Sequence, residues 1–362
     1  MLACEIQGPA AESTLPSTSI ESICLLRLSA LGDVTHVVPL VRTLQARYPE
    51  ARLAWVIGKL EHKLVGDLPG VEFVVVDKSR RLSDAKALRE TLQGRRFDVL
   101  LQMQVALRAN LLSTLVPAER RVGYDRARAK DLHGLVINQR IEPGRGQHVL
   151  DAIASFGTAI GAPRLEAPVW DIPISEADHA FAESVLPGDQ PTLLLSPCSS
   201  HALRNWHTKG YAALAGHAAE RGYRILLCGG RSALERNVGD AIIAATRAPV
   251  IDLIGKDTLK QLLALMQRAS IVATPDSGPM HMANAVGTRV LGLHAASNPH
   301  RSGPYSDRRF CVDRYPEAAR KFLRRDAERL PWGKKIEFPG VMDLIDETDV
   351  IEAFERHLAT PA

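Results

Sequence analysis

The chain has 362 residues, of which 46% are apolar, and a formal net charge of +4 at pH 7. This length exceeds the size at which a single hydrophobic core usually stops growing, so two domains of about 150 to 180 residues are expected. The apolar content argues against a largely disordered chain. No apolar run approaches the roughly 20 residues of a membrane-spanning helix, so any membrane contact must be peripheral.

The N-terminal segment and the cysteines bear on the compartment. The first residues are polar, contain Pro and Ser, and lack the apolar core of a signal peptide, so we interpret residues 1–21 as a flexible tail. Five cysteines are an odd number, are widely spaced and form no C-x-x-C pair. This usage indicates a reducing compartment and argues against a structural zinc site.

Short apolar runs alternate with longer helical patterns through the first half, which is typical of βα units and a mostly parallel sheet. Strands are predicted near residues 22–29, 52–58, 72–77 and 98–103. Helices are predicted at about 33–48, 82–93 and 147–160.

The second half repeats this alternation. Strands are predicted near residues 192–197, 223–229, 250–254, 270–274 and 289–294. Helices are predicted at about 208–221, 231–246, 257–268 and 277–286. Residues 299–340 are basic and contain prolines, and they match no simple pattern.

A Pro-rich segment separates the two halves and is the best linker candidate. Two α/β halves joined there leave a cleft between them. The predicted organisation is a tail at 1–21, a Rossmann-like domain at 22–170, a linker at 171–190, a second Rossmann-like domain at 191–345 and a C-terminal helix at 346–362.

The turn at residues 274–281 runs from a buried strand directly into a helix. Such a turn presents unpaired backbone N–H groups and the positive end of a helix dipole, and both suit a phosphate. Asp276, Ser277 and His281 add polar side chains at the mouth, where open α/β sheets place their ligands. The alternative is a simple Asp or Ser helix cap, which is favoured for this motif in isolation.

A similar turn carries Gly32 and Asp33, after the predicted strand at 22–29. Gly32 permits close backbone approach, and the Asp33 carboxylate at the start of a helix is a candidate general base toward an alcohol. The alternative is an N-cap Asp, about twice as favoured on local grounds. The fingerprint G-x-G-x-x-G is absent, which weakens a nicotinamide-oxidoreductase interpretation.

The third turn follows the predicted strand at 192–197. Ser199 and Ser200 supply hydroxyls, and Arg204 supplies a planar fork of donors that suits a diphosphate. A polar loop with Trp206 packed as an apolar plug is an equally good explanation.

The fourth turn, at residues 228–235, contains two glycines and then Glu235. The glycines allow close backbone approach, and acidic residues in nucleotide-binding folds accept hydrogen bonds from ribose hydroxyls. Taken alone, Glu235 is more simply a solvated helix residue.

In this order, the four turns resemble glycosyltransferase family 9, the bacterial heptosyltransferases of lipopolysaccharide core assembly, and particularly the heptosyltransferase I type. The resemblance covers about residues 22–298. It rests on R-x-S-A-L-G-D at 27–33, the hydroxyl-rich loop before Arg204, G-G-x-x-x-x-E at 229–235 and D-S-G-P-M-H at 276–281.

The resemblance implies a GT-B fold, in which two Rossmann-like, doubly wound α/β domains face each other across a cleft. It implies inverting transfer of heptose from ADP-heptose, with no cofactor and no required metal; Asp-x-Asp, a pattern of metal-bound diphosphate sites, is absent from the chain. By matching position, Asp33 is the base that deprotonates the acceptor. The donor-binding positions are Ser199, Ser200 and Arg204 for the diphosphate, Glu235 for the ribose, and Asp276, Ser277, Gly278 and His281 for the remaining pocket.

The implied acceptor is an acidic glycolipid, Kdo-lipid A or a heptosyl inner core, reached by peripheral contact with the cytoplasmic face of the inner membrane. No nucleic-acid partner is expected. Residues 76–146 hold 15 Lys/Arg against 8 Asp/Glu. Within them the acceptor candidates, each of which is equally well explained as solvated surface charge, are Arg80, Arg81, Arg126 and Arg128.

Two other function classes remain open at this point. One is a family member that uses another nucleotide sugar or acceptor. The other is a carbohydrate- or nucleotide-binding module that kept the fold and lost turnover, although the presence of Asp33 argues against it.

Overall fold

The computed structural model describes residues 20–77 and 81–360, with the side chains of 81–84 outside that description. The predicted tail therefore lies outside the described residues except for its last two positions. The described chain forms two six-stranded parallel sheets with helices between the strands. The predicted fold class is confirmed.

The first sheet belongs to the N-terminal half and has the strand order β3-β2-β1-β4-β5-β6. Its strands are β1 (Ser22–Leu26), β2 (Arg52–Gly58), β3 (Val71–Val76), β4 (Phe97–Gln102), β5 (Ala118–Gly123) and β6 (Gln139–Arg140). The helices of this half are α1 (Leu31–Arg47), α2 (Lys59–Val65), α3 (Arg81–Thr91), α4 (Leu107–Ser113) and α5 (Val149–Thr158).

The second sheet has the strand order β12-β11-β10-β7-β8-β9, which is the same winding in the second half of the chain. Its strands are β7 (Thr192–Leu195), β8 (Arg224–Leu227), β9 (Val250–Asp252), β10 (Ile271–Pro275), β11 (Arg289–His294) and β12 (Val312–Asp313). The remaining helices are α6 (Glu176–Val185), α7 (Thr208–Glu220), α8 (Ala233–Ala245), α9 (Leu259–Arg268), α10 (Gly278–Ala285), α11 (Pro299–Ser302), α12 (Tyr315–Leu323) and α13 (Glu347–Ala359).

The central strands explain why the apolar runs become parallel strands. All five residues of β1 are buried, and it pairs with β2 on one side and β4 on the other. A strand covered on both faces needs a continuous apolar run rather than an alternating one. The chain reverses its winding direction between β1 and β4, and again between β7 and β10, and such switch points are where doubly wound sheets bind ligands.

Helix α6 lies inside the segment that the sequence analysis treats as a linker. Ser175 caps it by accepting the Asp178 N–H, and the helix packs against α9. Its pattern was missed because it is short and lies between prolines. The exact domain boundaries stay a prediction.

One of the three hydrophobic clusters of the described residues spans both halves. Side chains of α1 and α5 from the first half and of α9 and α10 from the second belong to the same buried cluster. His148 bridges the halves as well: its Nδ1 accepts the Leu150 N–H, so Nε2 carries the proton that is donated to the Gly303 carbonyl at 2.9 Å. Among the described residues, none of the helices is long and apolar enough to cross a membrane.

Replacing Leu263 by Ala tests this shared core. Leu263 lies on α9 and is fully buried, so Leu263→Ala is expected to lower the free energy of unfolding by about 2–5 kcal/mol. Leu234→Ala on α8, where the side chain is 44% exposed, is the matched control, with an expected change within about 0.5 kcal/mol. Urea unfolding followed by circular dichroism measures both, and equal effects would contradict the shared core.

Candidate functional site

The N-termini of α1 and α10, one from each half, meet face to face. A Cβ atom placed on Gly32 lies 2.3 Å from Cδ2 of His281, and a Cβ placed on Gly278 lies 3.1 Å from Cβ of Leu31. Real Cβ atoms are not found at the first distance, so the absence of a side chain at position 32 is what admits the imidazole. The turn at 27–33 and the turn at 274–281 are thereby brought together.

Asp33 is the third residue of α1, and its side chain is 32% exposed. Its Oδ2 forms an ion pair with Arg27 and accepts the Ala30 N–H at 3.2 Å. Arg27 is held in turn by the carbonyl oxygens of Ser29, at 2.7 Å, and Met103. The carboxylate is thus fixed in direction by an arginine that is itself anchored to the sheet.

The same contacts set the protonation state of this carboxylate. Burial raises the pKa of Asp33, but the Arg27 charge and the Ala30 N–H outweigh burial, so the net pKa lies below its ordinary value of 3.8. Asp33 is therefore ionised at neutral pH and able to accept a proton.

Asp276 follows β10 and is buried beside the start of α10. Its Oδ2 forms an ion pair with Lys335, and the Ser302 hydroxyl lies 3.4 Å from the same oxygen. Burial raises the pKa of Asp276, but the Lys335 ammonium outweighs burial and holds the net pKa well below its usual range. The carboxylate is charged and already paired within the protein.

Ser277 occupies the N-cap position of α10 but makes no side-chain cap hydrogen bond; its hydroxyl instead lies 2.9 Å from Thr274 Oγ1. The leading N–H groups of α10 are therefore not capped by Ser277. His281 is buried, its Nδ1 has no hydrogen-bond partner, and its ring contacts His36 edge-on at 4.5 Å between centroids. A helix start without a side-chain cap suits a phosphate, although Pro279 in this first turn has no N–H to donate.

The loop after β7 holds the third predicted group. The Ser199 N–H donates to Asn205 Oδ1 at 2.7 Å, while Ser200 is exposed. Nε of Arg204 donates to Oε1 of Glu337 at 2.7 Å, so this guanidinium is already engaged. The loop is polar and ordered by its own hydrogen bonds.

Trp206 is buried, and its indole N–H donates to the Ile345 carbonyl at 2.9 Å. Trp206 is therefore packed as an apolar side chain, as the alternative explanation predicted. Its packing is compatible with a polar loop at 199–204.

Glu235 closes the turn before α8. Its Oε1 accepts the Gly230 N–H at 2.7 Å, and its Oε2 accepts the Ser232 hydroxyl at 2.6 Å. The Ser232 hydroxyl oxygen accepts the Glu235 N–H and thereby caps helix α8. Each carboxylate oxygen keeps a further lone pair for a ligand hydroxyl.

The four arginines proposed for the acceptor have different surroundings. Arg80 lies outside the described residues, and Arg81 begins α3 with its side chain outside the description. Arg128 is bound within the protein, because its Nε donates to Asp125 Oδ2 at 2.6 Å. Arg126 is exposed.

Sequence reasoning did not assign Arg27, Lys335 or Glu337 to the site. Arg27 was detectable, because it follows a buried strand within the motif at 27–33. Lys335 and Glu337 carry no local signal, since their partners lie 59 and 133 residues away in the chain.

Within the described residues, no group of three or more His, Cys, Asp or Glu side chains is placed to hold a metal ion. The four described cysteines are free thiols, and three of them are buried.

Two doubly wound α/β domains in one chain are the GT-B architecture, and solved structures share this fold. A glycosyltransferase family 9 protein from Veillonella parvula superposes with a TM-score of 0.76 at 21% identity, covering 94% of this chain and 99% of that one. The E. coli heptosyltransferase WaaC, solved with ADP, superposes with a TM-score of 0.71 at 18% identity, covering 93% and 99%.

Sequence comparison gives the family. The model of glycosyltransferase family 9 (heptosyltransferase) matches residues 85–330. The lipopolysaccharide core heptosyltransferase OpsX of Haemophilus influenzae is 35% identical over 93% of this chain and 96% of its own length. Lipopolysaccharide heptosyltransferase 2 of E. coli K12 is 24% identical over 78% and 85%. The chain belongs to glycosyltransferase family 9, the heptosyltransferases, and the predicted family is confirmed.

Gly32→Ala tests the close approach of α1 and α10. The added methyl collides with the His281 ring, so we expect a loss of stability of about 1–3 kcal/mol. Gly216→Ala is the matched control, because Gly216 lies inside α7 with no atom within 4 Å of an added Cβ. Alanine is the better helix former there, by about 1 kcal/mol. Thermal unfolding measures both, and a stabilised Gly32→Ala variant would contradict the packing.

Proposed function

We propose that this protein transfers a heptose from ADP-heptose, with inversion, to the inner core of lipopolysaccharide, either Kdo-lipid A or a heptosyl acceptor. The observation that carries the proposal is the ionised Asp33 carboxylate, fixed by Arg27 at the start of α1 and facing the uncapped N-terminus of α10 in the opposite half. A base in one domain facing an anion site in the other is the arrangement that group transfer between two substrates needs.

The proposed reaction is a single displacement. Asp33 takes the proton of the acceptor hydroxyl, whose oxygen attacks the anomeric carbon from the face opposite the diphosphate. The bond between that carbon and the diphosphate oxygen breaks, and ADP departs with the bonding electrons. One displacement inverts the anomeric configuration, and helix N–H groups at α10 stabilise the departing charge.

The donor assignment is supported by the uncapped turn at 274–281 and by the relatives. ADP is the first nucleotide to test, because WaaC of E. coli is solved with ADP and with ADP-2-deoxy-2-fluoro heptose. Ser199, Ser200, Arg204 and Glu235 are proposed donor contacts, although Ser199, Arg204 and Glu235 each have a partner within the chain. The leading alternative donor is another nucleotide sugar.

The proposed acceptor is anionic and amphiphilic, which places the enzyme in peripheral contact with the cytoplasmic face of the inner membrane. Of the two acceptor candidates whose side chains the structure describes, Arg126 is exposed and Arg128 is partly buried. The name of the Haemophilus influenzae relative supports this choice of acceptor class.

Asp33→Asn tests the base. The amide keeps the size of the side chain but cannot take a proton, so turnover is expected to fall by about 10²- to 10⁴-fold, while ADP affinity changes little. Asp189→Asn, at an exposed position, is the matched control with wild-type turnover. Mass spectrometry of the lipid product and calorimetry with ADP give the two readouts. Turnover retained in Asp33→Asn would remove this residue from the mechanism.

The pH dependence follows from the direction of the shift. The pKa of Asp33 is lowered from its ordinary value of 3.8, so the carboxylate is already deprotonated at pH values above 3.8. The enzyme is expected to lose activity through this group only when the pH falls through the lowered pKa. The rate is therefore expected to show no inflection from Asp33 between about pH 5 and 8. An acidic limb in that range that vanishes in Asp33→Asn would contradict the assignment.

Metal independence is a separate part of the proposal. Transfer is expected to be unchanged when the protein is dialysed against EDTA and assayed in its presence, because cationic side chains and helix N–H groups are proposed to stabilise the leaving group. Loss of transfer on chelation, with recovery on adding Mg²⁺ or Fe²⁺, would overturn this part alone.

A further inference from the structure

Residues 335–337, which we call the charge strap, connect the unassigned region after β12 to the proposed donor site. Ile336 at its centre is fully buried, and its N–H donates to the Ala296 carbonyl at 2.8 Å. The flanking Lys335 and Glu337 form ion pairs with two different donor-site residues, Asp276 and Arg204. Lys335 and Glu337 thus contact two separate turns of the second domain, after β10 and β7, while Ile336 is bonded to the segment after β11.

The ion pair between Lys335 and Asp276 balances a negative charge at the start of α10. An ionised carboxylate at the start of α10 would repel a diphosphate bound to the same helix N-terminus. The titratable side chains with the largest electrostatic effect on Asp276 are Lys335, His281 and His294. Burial lowers the pKa of His281, and it lowers the pKa of His294 to about 4, so both rings are neutral at pH 7. Among these groups, Lys335 alone supplies the positive charge that balances Asp276.

The ion pair between Glu337 and Arg204 places a negative charge beside a proposed donor-binding cation. Oε1 of Glu337 accepts from Nε of Arg204 at 2.7 Å and lies 2.6 Å from Nη2. Both partners are only partly exposed, at 22% and 26%, so the pair is less screened than a surface ion pair. A diphosphate that binds Arg204 must share the guanidinium with this carboxylate.

We propose that the charge strap sets the net charge of the pocket that binds a nucleoside diphosphate. Lys335 cancels Asp276 and makes the α10 turn receptive to the anion, whereas Glu337 orients Arg204 and weakens its hold on the same anion. Lys335 and Glu337 are therefore positioning residues with opposite effects on affinity. The inference rests on the proposed function in placing the diphosphate at these two turns.

The first test is the affinity of the full-length protein for ADP, measured by calorimetry at pH 7.5. Lys335→Met leaves Asp276 unbalanced and is expected to weaken ADP binding by about tenfold or more, as loss of one partner of a buried pair does. Lys335→Arg keeps the charge and is expected to bind ADP within about threefold of wild type. Lys334→Met, at the exposed neighbouring position, is the matched control with unchanged affinity.

The double variant Asp276→Asn/Lys335→Met separates charge balance from mere packing. Removing both charges restores neutrality, so the double variant is expected to bind ADP more tightly than Lys335→Met alone. If the two substitutions instead add as independent losses, the electrostatic role of Lys335 is wrong. Thermal unfolding of each variant shows whether it is folded.

Glu337→Gln is an independent test in which the affinity for ADP is expected to increase rather than decrease. The amide oxygen still accepts from Arg204, but one negative charge is gone, so ADP is expected to bind several-fold more tightly. The matched control is Glu328→Gln at an exposed position. Weaker or unchanged ADP binding by Glu337→Gln would overturn this half of the inference even if Lys335→Met fails to fold.

UDP, GDP and inorganic pyrophosphate distinguish a failed inference from a failed function. If the wild-type protein prefers UDP or GDP to ADP, the proposed donor is wrong, and the same variants are compared with the preferred nucleotide. Opposite shifts for Lys335→Met and Glu337→Gln then still support the charge strap. If none of these diphosphates binds the wild-type protein, both proposals fail.

Discussion

The contact on which the site depends is the close approach of two helix N-termini, one from each half of the chain. Gly32 makes room for the His281 ring, and Gly278 makes room for Leu31. Side chains of α1 and α10 belong to the same buried cluster. Asp33, on the first turn of α1, therefore lies near the turn that is proposed to bind the donor. The position of Asp33 relative to the α10 turn is thereby determined by the packing of two helices rather than by a flexible loop.

Much of the fold was predictable from the sequence because parallel strands are buried on both faces and read as apolar runs. The five buried residues of β1 illustrate this. Edge strands such as β6, with two residues and little burial, carry no such signal. The helix at Glu176–Val185 was missed for a similar reason, since its one fully buried side chain is Ala182.

The candidate site was predictable only as far as its motifs extend. The turns carrying Asp33 and Asp276 are local in sequence, and local residue types indicate a strand that leads into a helix. The partner that keeps the carboxylate ionised is local in sequence for Asp33 but distant for Asp276. Arg27 lies within the first motif, but Lys335 reaches Asp276 from 59 residues away, and no pattern of spacing reveals an ion pair formed by tertiary folding.

The identical winding of the two sheets gives corresponding turns after β1 and β7. In the first half a carboxylate of the protein occupies this turn, because Asp33 accepts the Ala30 N–H and pairs with Arg27. A protein anion thus occupies the place that a phosphate takes in other domains of this architecture. The two halves are alike in topology, but they differ at this turn: in the first half an internal carboxylate already accepts the Ala30 N–H, so that donor is not free to bind a phosphate.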